Sequence, residues 1–242
     1  MNVIRPSIFP PHVVAAFSTR RGGVSPPPLG MNLSFNVGDT SENVVMNRAI
    51  FFGGLGLTLD RLAIPGQVHS ATVHAAEKPG PYPETDGLVS DTPNIFLCVS
   101  VADCVPILLY DPVLRGVAAV HAGWRGTGSR IASGAVQKMM KEFGTNPRDL
   151  LAHVGPSAGS CCYAVGEEVA SRFPDEFVSR KDSSLYVDLK QTNRHQLLEA
   201  GLLAERIEIS PYCTISDSTL FHSHRREGSR SGRMMGVIGL TS

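Results

Sequence analysis

The chain carries no excess charge of either sign: 22 Lys and Arg balance 22 Asp and Glu over 242 residues. Without an overall field it has nothing to draw in nucleic acid or an anionic membrane surface. Long apolar runs are also missing, since no stretch approaches the roughly 18 residues a spanning helix needs. Pro6, Pro10 and Pro11 interrupt the N-terminal segment where a signal peptide needs an unbroken apolar core. Five cysteines are an odd number in a chain of this length, which argues against a disulfide framework and for a reducing, cytoplasmic setting. There is no Ser/Gly tract, charge block or repeat. Pro26-Pro27-Pro28 and Pro79-Gly80-Pro81-Tyr82-Pro83 are short stiffened loops. One α+β domain over residues 1–242 is the simplest expectation.

What the chain does contain is three short segments with metal-ligand chemistry: Gln67-Val68-His69, Ala102-Asp103-Cys104 and His121-Ala122-Gly123-Trp124-Arg125-Gly126. Two imidazoles and a thiolate suit a borderline-soft cation such as zinc, and copper would compete for the same donors. Three ligands without an evident fourth describe an open, chemically active site. A hairpin brings two of them together. Val105 to Tyr110 and Val117 to His121 are apolar and flank the turn Asp111-Pro112-Val113-Leu114-Arg115-Gly116. If Tyr110 pairs near Gly116 or Val117, Cys104 falls opposite position 122 or 123, beside His121. Pro106 then implies an edge strand or a bulge.

Other candidates fit less well. Cys98 shares a face with Cys104 on a continuous strand but lies about 20 Å along it. His74 has the wrong parity relative to His69 on a strand over 64–75. Cys161 and Cys162 are adjacent and poorly placed to share one ion.

Along the chain, strands are expected at Val13 to Ser18, Asn94 to Val101, Leu150 to Val154, Ile207 to Ser210 and Met234 to Leu240. Asp39-Thr40-Ser41-Glu42 has the form of a capping box that opens a helix through Asn47 and Arg48 to Gly53-Gly54. A helix capped near Thr127 or Ser129 and closed by Gly144 follows the His121 strand, its N-terminal amides forming an anion pocket. Further helices are expected over Gly166 to Phe173 and Asp188 to Glu205. The loop Thr19-Arg20-Arg21-Gly22-Gly23-Val24-Ser25 is rich in anion donors.

Taken in order, these segments resemble one family, the laccase-domain proteins. They were first described as polyphenol oxidases, later as zinc-dependent purine nucleoside phosphorylases, and in some members as peptidoglycan-editing factors. The matching pieces are Thr19 to Ser25, Met31-Asn32-Leu33-Ser34, Val37-Gly38-Asp39, Asn47-Arg48, Gln67 to His69, Asp86 to Ser90, Ala102 to Cys104, His121 to Gly126, Gly155-Pro156, His224-Arg225-Arg226 and Gly232-Arg233. The resemblance implies an αββα layered fold related to cysteine hydrolases. It implies zinc on His69, Cys104 and His121, with Asn32 and Arg48 among the substrate-binding residues. The implied substrates are purine nucleosides and phosphate, with adenosine deamination and methylthioadenosine phosphorolysis alongside. Relatives usually carry Ile at the position of Ala158 and Glu at that of Ala164.

Two other readings compete. A metal-free cysteine hydrolase would use Cys104 as nucleophile and His121 as base. A copper-dependent polyphenol oxidase of the multicopper kind needs about ten His and Cys ligands, against eight scattered histidines here.

Overall fold

The computed structural model describes residues 3–241. Its strands, in chain order, are β1 (Val3–Ile4), β2 (Val13–Ser18), β3 (Leu62–Pro65), β4 (Val73–Ala75), β5 (Gly80–Tyr82), β6 (Gly87–Ser90), β7 (Phe96–Val101), β8 (Val105–Tyr110), β9 (Val117–Ala122), β10 (Leu151–Val154), β11 (Ala164–Val165), β12 (Val178–Lys181), β13 (Ser184–Val187), β14 (Ile207–Ile209) and β15 (Met234–Leu240). The helices are α1 (Ser41–Gly53), α2 (Trp124–Gly128), α3 (Ile131–Phe143), α4 (Glu167–Ala170), α5 (Leu189–Glu199) and α6 (His224–Glu227). Two mixed six-stranded sheets run β1-β2-β15-β7-β3-β5 and β14-β10-β8-β9-β6-β4, and a small third runs β11-β13-β12. No helix among the described residues is long and apolar enough to cross a membrane.

Alternation along the strands assigns the layers. On β8, Val105, Ile107 and Leu109 pack with α3 and α5 through Ile131, Ala135, Val136, Met139, Leu189 and Leu197. The intervening Leu108 and Tyr110 join Phe17, Leu97, Val99 and Ile238 of the other sheet. That sheet turns Phe96, Cys98, Met235 and Val237 outward onto Phe51 and Phe52 of α1. The order is helix, sheet, sheet, helices: an α+β sandwich of αββα type. Because both faces of each sheet are covered, the central strands read as continuous apolar runs.

The hairpin has the expected register, with Tyr110 opposite Val117 and Val105 opposite Ala122. Other expectations need correction. Asn94 to Val101 and Val105 to Tyr110 do not form one continuous strand. β7 belongs to one sheet and β8 to the other, and Ala102–Cys104 is the crossover between them. Residues 64–75 likewise split into β3 and β4 in different sheets, so His69 sits on the loop between them. Pro106 is on neither an edge nor a bulge. It pairs with His121, whose own N–H turns away to Asp86 O. The proline nitrogen therefore faces Gly155, just past the end of β10; Gly155 N still donates to Pro106 O at 2.8 Å, and only the return bond of that pair is missing.

The helix boundaries shift for local reasons. The N-cap of α1 is Thr40, whose side chain accepts from Asn43 N, and not Asp39. The turn after His121 is a single five-residue helix from Trp124 to Gly128, and α3 begins separately after Arg130 at φ 62°. One turn carries too little macrodipole for the expected anion pocket. Helix α4 covers only Glu167–Ala170, while α5 is capped by Asp188 and stops at Glu199 before Gly201 at φ 103°.

Candidate metal centre and its cavity

Position 121 is odd, like Val117 and Ala119, so its side chain points between the two sheets at the end of the sandwich. Cys104 arrives at the same end on the crossover turn, whose Asp103 adopts φ 85°. That strained backbone is held from three sides. The Asp103 carboxylate accepts from Thr214 Oγ1 at 2.7 Å, Ser223 Oγ at 3.0 Å and Arg225 N at 2.6 Å. His69, at φ 60°, is held by a single buried carboxylate. Asp86 is wholly buried, and its Oδ2 accepts from Val68 N, Ser70 N and Ser70 Oγ at 3.1, 2.7 and 2.8 Å. Its Oδ1 accepts from His69 N at 3.0 Å and from His121 Nδ1 at 2.8 Å. One aspartate thus fixes both histidine-bearing segments, and because an ionised carboxylate only accepts, Nδ1 of His121 carries its proton and Nε2 faces the site.

The three expected side chains meet: the ligand atoms of His69, Cys104 and His121 all lie within 4.8 Å of one another. The imidazoles stand edge to face, 4.9 Å between ring centres. Gly123 makes the convergence possible. A Cβ there would sit 3.0 Å from Cys104 Sγ and 3.2 Å from His69 Cδ2, so the cluster closes over a position where any side chain would intrude. Electrostatics follow the geometry. Burial raises the Cys104 thiol, but the charge of His121 and hydrogen bonds from both histidines outweigh it and bring it down to about 6. Burial works against a charged His121, yet the Cys104 thiolate and Asp86 raise it to about 9. Asp86, despite burial, is held at about 2 by its bonds to His121 and Ser70. A group of one thiol and two imidazoles that already favours the thiolate fits a zinc ion by donor chemistry and by the space Gly123 leaves.

The trio opens into a cavity of about 590 Å³ that includes Ser34, Phe35, Arg48, Gln67, His224 and Arg233 in its lining. Arg48 reaches it from α1 with Nε donating to Leu33 O at 2.8 Å and its guanidinium over the Phe35 ring at 4.5 Å. Asn32 does not line it. Its Nδ2 donates to Ser34 O and Asp39 Oδ2, and its Oδ1 accepts from Ser34 N and Arg233 N, so the amide is spent on holding the Ser34 loop and Arg233. Arg233, half-buried beside Cys104, is a second cationic wall residue that the sequence reading passed over, although Gly232-Arg233 is among its motifs. A smaller cavity of about 290 Å³ on the other side of Cys104 includes Trp124, Arg125, Tyr163 and Arg225. Cys98 is buried against α1 in another layer, and His74 lies on β4 away from the cluster.

The family described as multi-copper polyphenol oxidoreductase laccase matches this chain over residues 14–241. The chain belongs to this laccase-domain family. A relative named purine nucleoside phosphorylase YlmD, from Bacillus subtilis, is 35% identical over 94% of this chain and 88% of its own length. One named adenosine deaminase RL5, from an unknown prokaryotic organism, is 36% identical over 91% of each chain. The crystal structure of YlmD from Geobacillus stearothermophilus superposes with a TM-score of 0.95 at 33% identity, covering 100% of this chain and 97% of its own.

Proposed function

We propose that this laccase-domain chain is a zinc-dependent purine nucleoside phosphorylase that also cleaves methylthioadenosine and deaminates adenosine. The observation that carries the reading is the convergence of His69, Cys104 and His121 on a cavity walled by two arginines. When bound on these three side chains, zinc supplies Lewis acidity and a water of lowered pKa. The chain's own residues do the rest. Asp86 keeps His121 in the tautomer that offers Nε2, and Gln67 ties the His69 loop to β7 by exchanging bonds with Ser100 at 2.8 and 2.7 Å. Arg48 and Arg233 bind phosphate by charge-assisted hydrogen bonds and hold it for attack at the anomeric carbon of the ribose. Phe35, 45% exposed at the rim, offers a flat apolar face to a purine. Asn32 acts through the loop and through Arg233 rather than by touching substrate.

The thiol at about 6 beside an imidazole at about 9 also suits a metal-free cysteine hydrolase, with Cys104 as nucleophile and His121 as its base. Incubation with adenosine, with and without phosphate, before and after chelation separates the two. The zinc reading expects adenine plus ribose 1-phosphate only with phosphate, inosine in either case, and neither after chelation. Product formation that survives chelation would favour the thiol enzyme.

A further inference from the structure

Outside this centre, one cluster of reactive side chains has no part in the mechanism. Strands β10 and β14 are parallel neighbours, so the loops that follow them leave the sheet at the same end. An isolated bridge pairs Ser157 with Cys213, Thr214 N donates to Ser157 O at 3.0 Å, and Gly159 N donates to Cys213 Sγ at 3.2 Å. Cys213 is thereby laid against Cys161 and Cys162, half a hundred residues earlier in the chain. The three sulfurs lie within 4.8 Å of one another, Cys161 and Cys162 at 3.3 Å. In sequence the adjacent pair is poorly placed to share one ion; the fold sets a third thiol, from another loop, beside it.

We propose that Cys161, Cys162 and Cys213 form a second metal site, all-thiolate and three-coordinate, that takes one Cu(I) ion with release of the thiol protons. Trigonal metal–sulfur bonds of about 2.3 Å require sulfur–sulfur edges of about 4 Å. Cys161 and Cys162 stand at 3.3 Å and no pair exceeds 4.8 Å, so each edge is within about 1 Å of that value or shorter, and side-chain rotation can open the short one. Gly159 leaves the room: a Cβ there would lie 3.3 Å from Cys161 Sγ and 3.4 Å from Cys213 Sγ. No fourth His, Cys, Asp or Glu joins the cluster among the described residues. Structural zinc closes a tetrahedron with four ligands, whereas soft thiolates without imidazole or carboxylate select Cu(I).

The surroundings answer the charge of three thiolates. The Lys190 ammonium, buried on α5 and donating to Ser210 O at 3.0 Å and Tyr212 O at 2.6 Å, feels both Cys213 and Cys161. Burial raises Cys213, but amide donation from Ser216, Gly159 and Ile215 brings it down to about 7. Cys161 is exposed and gives the ion its way in.

The test uses Cys104→Ser protein, in which the other centre has lost its sulfur. Titrated anaerobically with Cu(I) against a chromophoric Cu(I) chelator, it should retain one equivalent, and X-ray absorption should show a shell of sulfur alone. Adding Cys161→Ser, an exposed change that spares the core, should abolish that equivalent. Cys213→Ser should do the same, with circular dichroism checking its fold. Retention of Cu(I) in both added variants, imidazole nitrogen in the shell, or preference for zinc over Cu(I) would overturn the site.

Discussion

Replacing Asp86 by Asn removes one negative charge and turns one acceptor into a donor, at a residue that accepts five hydrogen bonds. The amide can be placed two ways. With its oxygen at the Oδ2 position it keeps Val68 N, Ser70 N and Ser70 Oγ, and its NH2 faces His69 N–H and His121. The other placement sets NH2 against three donors and is worse. In the favoured placement His69 N–H loses its buried acceptor, which costs about 1–3 kcal/mol. His121 must then accept at Nδ1, moving its proton to Nε2, the nitrogen that faces the site. The chain should still fold, because the Val68–Ser70 turn retains three of its bonds. A loss near 2 kcal/mol lowers Tm by about 4–8 °C in a chain of this size. Zinc affinity should fall by about 10- to 100-fold, the usual cost of losing a carboxylate behind a ligating histidine. Competition against a chromophoric zinc chelator, alongside thermal melts of the metal-free protein, reads both numbers. Folded Asp86→Asn with wild-type zinc affinity would refute the reasoning, since His121 would then need no tautomer control.

Further outcomes follow from the same geometry. Gly123→Ala should fold normally, because φ of −71° suits alanine, yet bind zinc weakly, since its Cβ meets Cys104 Sγ at 3.0 Å; unchanged zinc stoichiometry and affinity would count against the cradle. Arg48→Ala should lower inosine phosphorolysis by about a hundredfold, roughly 3 kcal/mol for a charge-assisted pair, while adenosine deamination suffers less and Arg48→Lys recovers only part. Equal losses in the two reactions would remove Arg48 from the phosphate role. Asp86, at about 2 in the fold against an ordinary 3.8, has a depressed pKa and so stabilises the metal-free chain fully above pH 4. That contribution, about 2 kcal/mol, should be lost as pH falls from about 4 to 2; acid melts of Asp86→Asn should be flatter over that window, and identical slopes would contradict the assignment.

The hairpin was legible because both of its strands and its turn are local, and the register followed from where the turn began. The layer assignment was not, since strands buried on both faces hide their parity: β7 and β8 read as one run although Ala102–Cys104 carries the chain from sheet to sheet. His69 was identified by chemistry but misplaced on a strand: Pro65-Gly66 marks the break that ends β3, while the carboxylate that clamps the loop follows only at Asp86. Asp86 and Asp103 look like ordinary turn residues in sequence, and only the fold shows each accepting from several distant donors. Cys213 joins Cys161 and Cys162 through a parallel bridge between loops, a contact without a local signature. Arg48 could be carried into the cavity by resemblance alone, while the saturation of Asn32 by Ser34, Asp39 and Arg233 needed coordinates.

The central claim, that zinc on His69, Cys104 and His121 supports purine nucleoside chemistry, is tested most directly by returning zinc stepwise to the chelated protein and following inosine phosphorolysis. Turnover should climb from background to a plateau at one equivalent per chain in the wild type and stay at background in Cys104→Ala. Full turnover before any zinc is added, or an equal plateau in Cys104→Ala, would contradict it.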